Sequence, residues 1–297
     1  VFCPNQGSPE ENLQALLDAV RQVYASTLNP DALLYRRQVG LVDYDERMAI
    51  LIQRVEGRRH GRYFFPTAAG VAFGRNPFRW SRIIRREDGF VRIVFGLGTR
   101  AVERVSGDYP RMVALSHPHL RPEITLTEIK KYSQHSVDVI DLKENRLATL
   151  PVPKVLHPRF PGVQWLASVE EEDYVQPLHF LRPGLSSDRL ILTFDRLLQE
   201  TDFVPLMKAA LTKLERAYGR PVDIEFTVEI HREGRRPVPI VHLLQCRPLS
   251  RRETRPVRDF PAYVPQEDIV FLTTRLVPDG VVERIEYVVY VDPREYS

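Results

Sequence analysis

The clearest hydrophobic pattern in the chain is the strict alternation of apolar and polar residues in PVDIEFTVEI at 221–230. A period of two predicts a β-strand with one face in the core and one polar face, which begins here with Asp223 and Glu225. A second apolar run, PIVHLLQCRP at 239–248, predicts another strand. The polar loop around Gly234 joins the two strands as a long hairpin.

The hairpin predicts a polar patch at its open end. If the loop is centred on residue 235, opposed residues sum to 470, so that Asp223 faces Arg247 and Glu225 faces Gln245. Directly opposed residues share a face of the sheet. Mg²⁺ is held by one or two carboxylates together with phosphate oxygens, and Arg supplies a planar fork for phosphate. A metal–triphosphate would fit this patch, but an exposed sheet face with a cross-strand salt bridge has the same spacing and stays an open alternative.

Capping residues and apolar spacing predict the other elements. Ser8-Pro9-Glu10-Glu11 is a capping box that starts a helix reaching about residue 26, and a shorter helix follows Asn29-Pro30. The remaining predictions are a buried strand at 48–55 (MAILIQRV), strands at 63–73, 91–95 and 189–194, helical segments over 195–218 ended by Gly219, and a hairpin within 267–292 around Pro278-Asp279-Gly280. Helices and strands without strict βαβ alternation predict an α+β architecture with more than one lobe.

Composition narrows the class of protein only a little. The chain of 297 residues is 43% hydrophobic and 27% charged, as in ordinary soluble proteins. A net charge of +3 suits an anionic ligand but is too small to indicate nucleic acid. Cys3 and Cys246 form no disulfide framework or metal-ligand spacing, which favours a reducing compartment such as the cytoplasm. Because no apolar run approaches the roughly 18 residues of a membrane span, we expect no membrane partner.

Three other motifs carry less weight. GLGTRA at 96–101 matches the dinucleotide pattern G-x-G-x-x-A, but the next apolar strand starts at Arg111 and leaves little room for the required helix. The glycines are better interpreted as a tight strand-to-helix turn. His117 and His119 have no third metal ligand at a telling spacing. A combination of Ser106, Asp108 and His117 lacks a nucleophile elbow.

Several blocks of the sequence resemble, in the same order, the ATP-binding domain of the phosphoenolpyruvate synthase and pyruvate phosphate dikinase family. The blocks are VYASTLNPDALLYRRQVG (23–40), MAILIQRV (48–55), AAGVAFGRNP (68–77), VFGLGTRAVERVSGDYP (94–110), PVDIEF (221–226) and LLQCRP (243–248). The resemblance implies a partial ATP-grasp fold, in which mixed antiparallel sheets and packed helices form lobes that close over Mg-ATP. It covers about residues 23 to 250.

The resemblance also implies roles for individual residues. Glu225 would be a metal or ATP ligand with Asp223 as a second metal ligand beside it, and Gln245 and Arg247 would address the phosphates. Gln53, in the hinge strand, would lie near the adenine, although a Gln satisfied within a sheet is an equal alternative. The implied cofactors are ATP and Mg²⁺.

The implied domain organisation follows the same blocks. Residues 1–120 would form the hinge and central part of the ATP-grasp domain, and 121–188 a connecting or inserted region. Residues 189–251 would form the C-terminal lobe with the metal and phosphate hairpin, and 252–297 an extension.

The chain departs from the family pattern in three respects. In the family, the first lobe supplies a Lys and an Arg that clamp the phosphates, and the resemblance implies that both would lie upstream of the block with which this chain begins. Ser116-His117-Pro118-His119 lacks the Gly- and Thr-rich surroundings of a phosphohistidine loop, and no barrel domain for pyruvate or phosphoenolpyruvate follows. We therefore expect the ATP-binding portion of a longer phosphotransferase, whose phosphohistidine and phosphoenolpyruvate or pyruvate domains are the partners. A non-catalytic regulatory or assembly module is the alternative, and the final phosphoryl acceptor stays open.

Overall fold

The computed structural model describes residues 1–249 except 39, 46, 77, 79, 82, 103, 104, 106, 181, 234 and 235, together with 264–269, 286, 287 and 289. The described α-helices are α1 (Pro9–Ala25), α2 (Pro30–Gln38), α3 (Thr99–Val102), α4 (Leu126–Lys131), α5 (Val152–Val155), α6 (Val163–Leu166), α7 (Asp195–Glu200) and α8 (Phe203–Tyr218). The described strands are β1 (Arg58–His60), β2 (Tyr63–Phe65), β3 (Ala68–Phe73), β4 (Phe90–Val94), β5 (Arg111–Ala114), β6 (Ser136–Asp141), β7 (Arg146–Pro151), β8 (Ala167–Glu170), β9 (Val175–Pro177), β10 (Leu190–Leu192), β11 (Val222–Glu233) and β12 (Arg236–Pro248). Short 3-10 helices lie at Ser26–Leu28, Arg86–Asp88, Ser187–Arg189 and Gln266–Asp268.

The helices start and end where their capping residues predict. At the start of α1, the Glu11 amide donates to the Ser8 hydroxyl (3.2 Å) and the Ser8 amide donates to the Glu11 carboxylate (2.7 Å). This reciprocal pair satisfies amide groups that the first helical turn leaves without partners. Helix α8 ends at Gly219, which has φ of 65°, a conformation that glycine adopts at little cost.

The described strands form antiparallel sheets with the orders β1-β2-β6-β7, β10-β8-β9 and β12-β11-β3-β4-β5. Strand β11 is interior to the third sheet, and β12 is at its edge. Helices and antiparallel sheets in this mixture confirm the predicted α+β class.

The two faces of β11 have different surroundings. Ile224, Phe226 and Val228 are buried in the main hydrophobic core. Helix α8 packs against this strand, and its Phe203 ring lies 5.9 Å from the Phe226 ring. The core therefore fixes the orientation of β11 and directs Asp223 and Glu225 to the opposite face.

The prediction of a buried strand at 48–55 is wrong. This segment belongs to no strand, and Leu51 and Ile52 are 75% and 68% exposed. It runs beside the edge of β12, where the Gln53 side chain donates to the Leu244 carbonyl (2.9 Å). Leu244 is the extra residue of a β-bulge, and a bulge interrupts the regular row of backbone groups that a further strand needs.

Two predictions about organisation stay untested. The hairpin predicted within 267–292, and most of the extension 252–297, lie outside the described residues. The predicted domain boundaries at residues 120, 188 and 251 stay predictions. Two strands of the region 121–188 pair with strands outside it, since β6 pairs with β2 and β8 pairs with β10. Among the described helices, none is long and apolar enough to cross a membrane.

Candidate functional site

The hairpin of β11 and β12 has the predicted register at its open end. Asp223 pairs with Arg247, and Glu225 pairs with Gln245. The bulge at Leu244 then shifts the pairing by one residue, so that opposed residues sum to 469 towards the turn. Because opposed residues share a face, the four side chains form one patch, which we call the hairpin patch.

Asp223 and Arg247 form a bidentate pair within the patch. Arg247 Nε lies 3.2 Å from Asp223 Oδ1, and Arg247 Nη2 lies 2.9 Å from Asp223 Oδ2. The Asp223 side chain is only 12% exposed, whereas the Arg247 side chain is 56% exposed. The bond to Asp223 and the nearby Glu225 charge raise the pKa of Arg247, partly opposed by burial. The carboxylate thus orients the guanidinium and leaves its far side open.

Glu225 and Gln245 differ from that pair, because neither side chain hydrogen-bonds to another group in the part of the chain that the structure describes. Glu225 is partly buried and Gln245 is exposed. A carboxylate and a carboxamide on a sheet face, each with its hydrogen-bonding capacity unused, are suited to a ligand.

Neighbouring strands add an arginine that the sequence analysis missed. Glu225 pairs with Val71 on β3, which pairs with Arg92 on β4, so these residues lie in one row on the face of the hairpin patch. The Arg92 guanidinium carbon lies 5.7 Å from the Phe73 ring centre. The sequence does contain a signal for Arg92, because this residue occupies the polar position of the alternating run VRIVF.

A second missed residue is Glu215 on α8. Its carboxylate accepts a hydrogen bond from the Val222 amide, and burial raises its pKa, partly opposed by that bond and by Arg75. Gly74, in the AAGVAFGRNP block, allows this approach, since a Cβ there would lie 1.8 Å from Glu215 Oε1. Glu215 thereby joins the end of β3 to the start of β11, directly before Asp223.

The Gly-Leu-Gly segment forms the predicted strand-to-helix turn, from the end of β4 to α3. Gly96 has φ of 86°, and an added Cβ at Gly98 would be 3.4 Å from Ala69. Ala101 of α3 packs with Val71 and Val94 on the face of the hairpin patch. Strands β4 and β5, which precede and follow α3, pair antiparallel, whereas a dinucleotide fold requires parallel strands there, so the structure does not support that alternative.

Gln53 connects the hairpin patch to a large cavity. While its amide nitrogen bonds to Leu244, beside Gln245, the residue also lines a cavity of about 690 Å³ between α1 and the segment 50–55. The cavity wall is mostly apolar, including Leu16, Val20 and Ile52. Its volume lies within the range of small-molecule sites, about 300–1,000 Å³.

The other candidate residues do not form a site among the described residues. The Asp108 carboxylate is engaged by Arg100 and by the amides of His135 and Ser136, and Ser106 lies outside the described part of the chain. His117 Nδ1 lies 2.9 Å from the Ser116 hydroxyl. No group of three or more His, Cys, Asp or Glu side chains in the described residues could hold a metal ion.

Comparison with known proteins identifies a family for the chain. The family model described as "Pyruvate phosphate dikinase, AMP/ATP-binding domain" matches residues 7–267, which is most of the chain and includes the hairpin patch and Gln53. No curated protein gives a significant match to the chain. The match reaches further in both directions than the blocks at 23–250, and an ATP-grasp-like domain agrees with the α+β architecture.

Proposed function

Because the chain belongs to the family of the pyruvate phosphate dikinase AMP/ATP-binding domain, we propose that it is the Mg-ATP-binding region of a phosphoenolpyruvate synthase or pyruvate phosphate dikinase-like phosphotransferase. In this proposal a phosphoryl group passes from ATP to a His on a separate domain of the same or a longer protein. The whole protein is then an ATP-dependent phosphotransferase of the dikinase type. The observation that carries the proposal is the pairing of Asp223 with Arg247 and of Glu225 with Gln245.

The phosphates would be bound by Arg247 and Gln245. Asp223 engages Nε and Nη2 of Arg247, which leaves the Nη1 donors directed away from that carboxylate. A guanidinium held in this way loses less side-chain entropy when it binds phosphate, and as an arginine it is always positively charged. The Gln245 amide adds neutral N–H donors. Positioning and charge neutralisation of this kind carry most of phosphoryl transfer.

Glu225 is the residue that we assign to the metal. Two carboxylates are too few to hold Mg²⁺ alone, but they are sufficient together with phosphate oxygens, which is the usual arrangement for this ion. The Glu225 carboxylate has no hydrogen-bond donor among the described residues, whereas both oxygens of Asp223 accept from Arg247. Asp223 is therefore the secondary metal ligand. The ion would supply neutralisation of the phosphate charge.

We assign the base of the nucleotide to the cavity beside Gln53. The apolar wall suits a planar base, and Gln53 lies at the point where the cavity meets the bulge of β12. The Gln53 carbonyl oxygen stays available as an acceptor while its amide bonds to Leu244. We further propose a cytoplasmic location, because Cys3 and Cys246 are both free thiols, and neither a nucleic-acid nor a membrane partner.

A non-catalytic module derived from the ATP-grasp fold is the second candidate. The observation that favours it is the Asp223–Arg247 pair, which satisfies both partners without a ligand and would serve equally as an ordinary cross-strand ion pair. Under this alternative, Glu225 and Gln245 are merely solvated.

Calorimetry with Mg-ATP on the chain separates the two candidates. We expect Glu225→Ala to weaken binding by about 10- to 100-fold, since a hydrogen bond or ligand contact to a charged group contributes about 1.5–3 kcal/mol. Glu172→Ala is the matched control, because Glu172 is exposed and distant in the chain from the hairpin. A titration without Mg²⁺ tests the metal separately: the effect of Glu225→Ala should shrink when the metal is absent.

The possible calorimetric results distinguish the nucleotide site from the non-catalytic module. Binding that is lost in Glu225→Ala and kept in Glu172→Ala supports the nucleotide site. If Mg-ATP gives no heat with the unsubstituted chain at about 1 mM, the non-catalytic module is favoured. If both variants bind as the unsubstituted chain does, the assignment of Glu225 to the site is wrong.

A further inference from the structure

A second cavity lies at the far end of the same hairpin, where β1, α6 and β11 meet. Its volume is about 610 Å³, and its polar and aromatic lining includes Arg58, Arg59, His60, Thr67, Trp165 and His231. Glu225 and His231 are six positions apart on β11, which corresponds to about 20 Å at 3.3 Å per residue. The four residues of the hairpin patch are not part of its lining. This is a separate cavity, and its chemistry is basic.

A buried carboxylate holds Arg58 in place at this cavity. Arg58 Nε lies 3.1 Å from Glu229 Oε2, and Arg58 Nη2 donates to His231 Nε2. Glu229 itself accepts from the Thr67 amide (3.1 Å) and hydroxyl (2.9 Å). Since an arginine always donates, His231 Nε2 is the acceptor in this contact. The Arg58 fork is thus pre-oriented, and its Nη1 has no partner in the described part of the chain.

Arg59 and His60 add further unused hydrogen-bonding groups. Arg59 Nε donates to the Gly61 carbonyl (2.9 Å), while its two terminal nitrogens donate to no described group. His60 is stacked on Phe65 with ring centres 4.6 Å apart, and its buried Nε2 has no partner among the described residues. Glu229 pairs with Arg58, and Arg59 has no carboxylate partner among the described residues, so the described part of the cavity wall keeps a net positive charge.

We propose that this cavity binds the phosphoryl group of a phosphorylated small molecule, at a site distinct from the nucleotide site. Planar guanidinium groups with free N–H donors match the oxygens of a phosphate, and the fixed Arg58 lowers the entropy lost on binding. The volume exceeds that of a bare ion and leaves space for an organic group beside Trp165. The site is formed by β1, α6 and the residues Ile230 and His231 of β11, and it does not depend on whether the hairpin patch binds ATP.

The test titrates inorganic phosphate and glycerol 2-phosphate into the full chain without Mg²⁺. Arg59→Gln is the test variant, because Arg59 is exposed and anchors no buried group. Arg146→Gln is the matched control, since Arg146 is an exposed arginine on β7, the opposite edge of the same sheet. Arg247→Gln separates the new site from the hairpin patch. Thermal melting of each variant without ligand checks that it is folded, and melting with phosphate gives a second measure of binding.

We expect both probes to bind the unsubstituted chain, Arg59→Gln to weaken this binding by about 10-fold, and Arg146→Gln to leave it unchanged. In Arg247→Gln, which removes any phosphate bound at the hairpin patch, the binding that depends on Arg59 should persist. Loss of binding in Arg247→Gln but not in Arg59→Gln would assign the phosphate to the hairpin patch and overturn the proposal. Equal binding by all variants, or no binding at about 10 mM, would overturn it as well. Binding of inorganic phosphate with exclusion of glycerol 2-phosphate would overturn the assignment to a phosphorylated molecule.

Discussion

Two glutamates on one face of β11 illustrate how the same sequence signal leads to different roles. Glu229 is 5% exposed, and its carboxylate accepts from the amide and hydroxyl of Thr67 and pairs with Arg58. Glu225, four residues earlier, is more exposed and has no hydrogen-bond partner among the described residues. Alternation predicts both acids equally well. The tertiary neighbours decide that one stabilises the fold and the other is available to a ligand.

The largest expected effect comes from removing the buried acid. We expect Glu229→Ala to lower the free energy of unfolding by about 3 kcal/mol, because it leaves the buried Thr67 amide without its acceptor and Arg58 without its partner. Glu225→Ala should change this free energy by less than about 0.5 kcal/mol. Urea denaturation of both variants measures the two values. Similar losses for both would contradict the division of roles.

The shared face of the acids on β11 could be predicted from the sequence, but the partners that separate their roles could not. Alternation predicted that Asp223 and Glu225 share a face. Their partners match the assumed loop centre at residue 235 only because the Leu244 bulge shifts by one residue a pairing that sums to 469 beside the turn. The engagement of Glu229 depends on Thr67, which is 162 residues away in the chain, and no periodicity carries that information. The same limit explains Arg92, which a third strand brings to the site.

The wrong prediction at 48–55 has a related cause. Its apolar composition resembles a buried strand, but burial depends on a partner surface, and β12 offers an edge that the Leu244 bulge interrupts. Gln53, the residue of this segment that we propose for the nucleotide site, was assigned through the family resemblance. Local pattern alone would have assigned Gln53 to a sheet.

A substitution at Arg247 tests whether the planar shape of its guanidinium group, rather than its charge, is needed at the open end of the hairpin. Arg247→Lys keeps the positive charge but loses the fork that pairs with Asp223. We expect about 10-fold weaker binding of Mg-ATP by calorimetry, with a stability change below about 1 kcal/mol, since the pair is largely exposed on the Arg side. Unchanged affinity would mean that a point charge is sufficient and that the guanidinium geometry of Arg247 does not contribute to phosphate binding.

Gln53 should have a smaller effect on the same binding. Gln53→Ala removes one neutral hydrogen bond to Leu244, which contributes about 0.5–1.5 kcal/mol. We expect Mg-ATP affinity to fall by a few-fold and amide hydrogen exchange in 48–55 to become faster, because the segment loses its attachment to β12. Faster exchange with unchanged affinity would limit Gln53 to a structural role and move the base away from this cavity.

The smallest expected effect concerns His60 at the far end of the hairpin. Burial, with the nearby Arg58 charge, lowers the pKa of His60 below its usual value of 6.5. As pH falls from about 7 to 5, the unfolded chain takes up this proton before the folded chain does, so the free energy of unfolding decreases. His60→Phe keeps the stacking on Phe65 and removes the titrating group, so its decrease should be smaller than that of the unsubstituted chain. Because other groups titrate in both proteins, the measurement is the difference between the two urea-denaturation series across this pH range. A difference that grows towards high pH instead would mean that the folded protein favours the charged imidazole, and Arg58 would then have to be held further from it.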